Sequence, residues 1–130
     1  MNLSIESIEA YLSEVRSYIR KGKYQIERNR NRADNNALFI NYLLDEKTAE
    51  KILLSLTPYD FSEVRQNEKA GYEHELLYIF GKDVDLVERF GSTVKTISLY
   101  IKFNKIENYY LFVISFHEQK YPMKYYFDRT

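Results

Sequence analysis

The chain has no cysteine and no tryptophan, and only two histidines, two prolines and four glycines among 130 residues. Without cysteine, disulfides and thiolate metal sites are excluded, and His74 and His117 are too few for a histidine-rich metal centre. Any catalysis falls to His, Tyr, Lys, Arg, Ser or carboxylates. An excess of one charge is also lacking: 19 basic against 19 acidic residues leave a net charge of zero, which removes a global argument for nucleic acid. No apolar run approaches the roughly 18 residues of a membrane span. The N-terminal MNLSIESIEAYL lacks the basic and then apolar layout of a signal peptide. These absences lead to the expectation of a cytoplasmic protein with no membrane partner, no metal and no cofactor.

Aromatic residues are plentiful, with 13 Tyr and 8 Phe in a chain that is 45% hydrophobic. That composition and length fit one folded domain over residues 1–130. The charges, although balanced, are segregated. Arg16, Arg20, Lys21, Lys23, Arg28, Arg30 and Arg32 crowd one stretch, whereas Asp45 to Glu88 is predominantly acidic, so a basic face is compatible with the neutral total.

Ile5, Ile8, Leu12, Val15 and Ile19 recur at spacings of three and four, the period of one helix face, with Ser4 placed to cap its start and Gly22 to end it. Lys23 to Glu27 reads as a short extended piece and Ala37 to Leu43 as a short helix. Asp45 can cap a further helix with the face Ala49, Ile52, Leu53 and Leu56, closed by Thr57-Pro58. After residue 60 the period changes. Glu73 to Phe80, Lys95 to Asn104 and Tyr109 to Phe116 read as strands, and Asp83 to Ser92 as a loop or short helix. Helices first and strands later predict an α+β fold, with N-terminal helices packed on a mostly antiparallel sheet.

The last two strands allow a register to be proposed. With a turn at Lys105 to Asn108 and Phe103 opposite Tyr110, Ile101 faces Phe112, Leu99 faces Ile114 and Ile97 faces Phe116, giving one wholly apolar side. The other side carries Ser98, Tyr100, Lys102, Ser115 and His117. In this register Thr96 lies opposite His117, and Tyr100 is about 13 Å away at about 3.4 Å per residue. The two would then line a groove without touching.

The segments "LYIKF" and "LFVISFHEQKYPMKYYF" resemble the C-terminal half of the MqsR (motility quorum-sensing regulator) family of toxins, in which a Tyr-x-Lys strand precedes a strand ending in Ser-Phe-His or Ser-Phe-Lys. "KGKYQIERNRN", "ILLSLTPYDF" and "LLYIFGK" are similar to further family segments and occur in the same order, so the resemblance spans about residues 8–126. It implies a RelE-type α+β fold and a metal-independent, sequence-selective endoribonuclease that cuts messenger RNA and is neutralised by a cognate antitoxin. Its functional positions match Tyr100 and His117, and the position where some members have Gln is Tyr78. A basic position after the Asp-Phe pair corresponds to Glu63, which cannot act as a cation, so Arg65 is the nearest substitute.

The chemistry suits these residue types. Metal-free RNA cleavage uses the 2′-hydroxyl of the RNA as nucleophile, so the protein must supply a base, an acid and cations around the phosphorane. Histidine titrates near neutrality and serves either proton transfer, which makes His117 the principal catalytic candidate. Lys102 and Arg65 are candidates for stabilising the developing charge, and Tyr100 for donating a hydrogen bond to phosphate. Candidates for binding single-stranded RNA are Tyr78, Tyr121, Tyr125 and Tyr126 by base stacking, and Arg28, Arg30 and Lys124 by charge.

Structural readings stand beside these. A lone histidine at a strand end more often bonds a nearby carbonyl, most of the tyrosines are half-buried sheet residues, and His74 between two glutamates is a surface residue. The neutral charge and Glu63 also suit a non-catalytic protein-binding module of the same fold, or a degenerate toxin that retains only antitoxin binding.

Overall fold

The apolar stripe forms α1 (Ile5–Arg20) in a computed structural model that describes residues 3–128. Ser4 and Ser7 cap it reciprocally: each hydroxyl accepts from the other's backbone N–H, at 3.0 and 2.9 Å. Such a cap contributes about 1 kcal/mol. At the other end Gly22 adopts φ 70°, its N–H donates to the Ile19 carbonyl, and the Lys23 N–H donates to that of Tyr18. This pair of bonds satisfies the last carbonyls and needs a left-handed residue at Gly22. Ile8, Tyr11, Leu12, Val15 and Ile19 are buried, whereas Ile5, also on the stripe, is left exposed at the first turn.

The chain continues through β1 (Tyr24–Ile26), α2 (Ala33–Asn41), α3 (Glu46–Leu54), a 3-10 turn (Pro58–Asp60), β2 (Phe61–Gln66), β3 (Leu76–Val87), β4 (Val94–Ile106) and β5 (Tyr110–Glu118). The strands form one sheet in the order β1-β5-β4-β3-β2. Three pairings are antiparallel, and the edge pair β1–β5 is parallel, so the sheet is mixed. Residues from all three helices join Phe61, Phe80, Leu99, Ile101, Phe103, Leu111, Val113 and Phe116 in one apolar cluster. That leaves the opposite sheet face without a helix-derived core. As expected, Asp45 caps α3, accepting from the Thr48 N–H at 2.8 Å. Among the described residues, no helix is long and apolar enough to cross a membrane.

Four expectations are corrected. The short helix expected over Ala37 to Leu43 begins earlier, at Ala33, and ends at Asn41. β2 was not anticipated as a strand. Much of the segment read as a loop or short helix, Asp83 to Val87, continues β3. Asp83 and Asp85, poor strand formers, are accommodated there by cross-strand hydrogen bonds from Ser98 and Thr96, each 2.7 Å.

The fourth correction is the register of β4 and β5. The loop is Glu107 to Tyr109, with Asn108 at φ 58° and the Tyr109 N–H donating to the Ile106 carbonyl at 3.1 Å. Phe103 pairs with Val113 but Lys102 with Ser115, so Ile114 is an extra, bulged residue. Ile101 consequently faces Phe116, not Phe112. The core takes Leu111, Val113 and Phe116, while Phe112 and Ile114 are only partly buried. An unbroken alternation of faces cannot reveal a bulge, which changes parity in mid-strand.

Candidate functional site

On the face away from the helices, cross-strand rows place the candidate residues side by side. One row runs Glu63, Ile79, Lys102, Ser115; the next carries Gly81, Tyr100 and His117; and Arg65 follows Leu77 and Asn104 on the other flank. Tyr100 is directly opposite His117, and their rings stack with centroids 5.2 Å apart at 9°. The separation of about 13 Å expected with the turn at Lys105 to Asn108 and no bulge is therefore replaced by contact.

Beyond β5 the chain has no regular structure and turns back across this face as a strap, residues 119–126. Gln119 ties its start to β4, its N–H donating to the Ser98 carbonyl at 2.8 Å and its side-chain amide to that of Leu99 at 2.9 Å. The far end is tied to β2: the Ser62 hydroxyl donates to the Lys124 carbonyl at 2.6 Å, and the Tyr126 N–H to that of Phe61 at 2.9 Å. The strap passes over Gly81, where a Cβ would collide with the Met123 sulfur, the Tyr125 hydroxyl and the Gln119 amide. Glycine is required here by close approach, not by φ.

Strap and sheet enclose an open cleft of about 850 Å³ lined by Arg65, Tyr100, Lys102 and His117, with Tyr121 and Lys124 on the strap side. With Tyr125 and Tyr126, which line it too, eight of the residues singled out in the sequence thus meet in one place. Three do not. Tyr78 pairs with Phe103 on the helix side, stacked on Tyr11 at 3.7 Å between centroids. Arg28 lies over the Phe39 ring at 4.1 Å, and Arg30 is exposed in the turn before α2, and neither lines the cleft. His74 is exposed, as expected.

The cleft is electrostatically unbalanced. Burial, together with repulsion from Arg32 and Arg65, holds the Lys102 ammonium below the ordinary lysine value. Burial raises the Tyr100 phenol, with Arg65 opposing, so Tyr100 stays protonated and serves as a donor. Arg65 is held by the Glu63 carboxylate, which raises its pKa further. The His117 Nδ1 lies 2.8 Å from the Glu118 carbonyl, which can only accept, so Nδ1 carries the proton and Nε2 has the lone pair when the ring is neutral. The bond anticipated for a purely structural histidine is therefore present, and it also fixes the tautomer.

Arg32, the third arginine of its run, reaches Lys102 electrostatically although the first two were the residues singled out; the run itself was the available signal. Asp34 was also missed. It pairs with Lys120 at 2.8 Å, which holds its carboxyl below the usual range, with a smaller contribution from nearby His117. Among the described residues, no group of three or more His, Asp and Glu is placed to hold a metal ion.

Fold and site define an α+β domain with a cationic, aromatic-walled cleft on the open face of a mixed sheet. No family model, no curated protein and no solved structure matches the chain.

Proposed function

We propose that this cleft is the active site of a metal-independent endoribonuclease, an MqsR-like toxin of RelE-related fold that cuts single-stranded messenger RNA in the cytoplasm and is neutralised by a cognate antitoxin. The observation that carries the reading is the contact of Tyr100 and His117 beside Lys102 and Arg65 in one cleft. Arg65 and Lys102 both line the cleft, and burial together with repulsion from Arg32 and Arg65 holds Lys102 below its ordinary pKa. A phosphodiester entering between them relieves that repulsion, which favours an anionic ligand.

In the reaction, a base removes the proton of the 2′-hydroxyl, the 2′-oxygen attacks the adjacent phosphorus, and the bond to the 5′-oxygen breaks as an acid protonates it. The products are a 2′,3′-cyclic phosphate and a 5′-hydroxyl, so atoms and protons balance. His117, its Nδ1–H fixed by the Glu118 carbonyl, offers Nε2 for one of the two transfers. Arg65 and Lys102 stabilise the charge that grows on the non-bridging oxygens, and the Tyr100 hydroxyl donates to one of them. Lys102 lines the same cleft, and burial makes its ammonium a stronger acid than a free lysine, which suits it to complement the histidine as proton donor. The strap tyrosines suit unstacked bases, which a single strand presents and a duplex does not.

Incubation of the protein with a long unstructured RNA in EDTA, alongside His117→Ala, tests the proposal. Discrete cuts ending in 2′,3′-cyclic phosphate, lost in the variant, are expected. No cutting by folded, antitoxin-free protein, with or without ribosomes, would leave the second reading, a protein-binding module. Two features favour that reading: the zero net charge, and Glu63, which already occupies Arg65.

A further inference from the structure

We propose that Asn35 is a positioning residue for His117: its side chain replaces a missing strand at the β5 bulge and so holds His117 against Tyr100. Its bearing on catalysis rests on the ribonuclease reading above.

β1 accompanies β5 only as far as Val113, and the last rung is the Glu27 N–H donating to the Val113 carbonyl at 3.0 Å. Beyond it, the β5 edge presents the Ile114 carbonyl and the Phe116 N–H without a neighbouring strand. Asn35 satisfies both. Its amide nitrogen donates to the Ile114 carbonyl at 2.9 Å, its oxygen accepts from the Phe116 N–H at 2.9 Å, and the nitrogen also donates to the Glu27 carbonyl at 2.8 Å. The side chain is only 1% exposed, so no water substitutes for it.

These bonds hold the carbonyl of Ile114, the bulged residue, and the Phe116 N–H two residues on, and the bulge decides which way His117 faces. A slip of one residue exchanges the faces of a strand, so loss of the bulge would turn the imidazole away from Tyr100. Asparagine alone has both donors and the acceptor at this length: aspartate lacks the donors, and glutamine is longer by a methylene. The competing anchor is Phe116, which packs on Phe39 in the core and would by itself fix the strand if Asn35 were only a spectator.

The test uses full-length Asn35→Asp and Asn35→Thr, with Tyr100→Leu as reference. Ring current from Tyr100 shields the His117 ring protons in the wild type, and Tyr100→Leu gives their unstacked position. Folded Asn35→Asp is expected to move them to that unstacked position. Its kcat on RNA is expected to fall about 10²-fold with KM nearly unchanged, the signature of misplacement rather than lost binding. Unchanged His117 resonances in a folded Asn35 variant would overturn the proposal. Should the wild type fail to cut RNA, the resonances still decide the role of Asn35, and only the ribonuclease reading falls. Should both variants unfold, the wild-type Phe116 amide decides instead. Slow hydrogen exchange there is expected, and exchange at the rate of an exposed amide would overturn the assignment.

Discussion

On the proposed reading, function and stability pull apart at Lys102. Its ammonium is partly buried among cations, and without a ligand this costs folding free energy. The folded-state pKa lies below the ordinary lysine value, so between the two the unfolded chain binds more protons and stability rises with pH. Lys102→Met is expected to flatten that rise in alkaline unfolding curves and to stabilise the protein at neutral pH by up to about 1 kcal/mol, while weakening RNA binding. A variant that loses both stability and binding would contradict this assignment. At the same scale, the shared face of Tyr100, Lys102 and His117 was legible from strand parity. Their contact was not, because it depends both on a turn placed later than the expected one and on the bulge at Ile114, and nothing in the run of apolar residues there marks which one is extra. Asn35 was hidden for a related reason: it sits in a polar stretch that reads as solvated, yet its partners are main-chain groups 79 and 81 positions away.

At the level of elements, α1 and α3 were legible because their period and caps are local. The strap was not, since its placement depends on a glycine in β3 that lies 38 to 44 residues before the groups that cross it. Gly81→Ala tests the arrangement. The added Cβ must displace Met123, Tyr125 or Gln119, and overpacking of this kind costs about 1–3 kcal/mol. Lower urea midpoints and faster proteolysis within residues 119–126 are expected, with α1 unaffected. Unchanged midpoint and cleavage pattern would show that the strap does not rest on Gly81. The tail of β3 was missed because Gly81, Asp83 and Asp85 weaken its local strand signal, and the hydroxyl partners that compensate lie on β4.

For the whole molecule, the neutral total charge and the cationic cleft together predict a modest salt dependence. If Arg65, Lys102 and Lys124, which line the cleft, make the phosphate contacts, the logarithm of RNA affinity should fall against the logarithm of salt concentration with a slope of about −2, at about −0.7 per contact on a single strand. A slope several times steeper would place binding on the wider surface instead of the cleft. The α+β class was legible from the order of helix and strand periods. The mixed sheet was not, because β1 is only three residues long and pairs with a strand far along the chain.

The proposed reaction turns on the identity of the nucleophile. An RNA carrying one 2′-deoxy nucleotide at a mapped cut position, compared in EDTA with its all-ribose counterpart, measures it. The all-ribose RNA is predicted to be cut to a 2′,3′-cyclic phosphate and the substituted one to resist at that position alone. Cutting of the deoxy position, or no cutting of either RNA by folded antitoxin-free protein, would contradict the account.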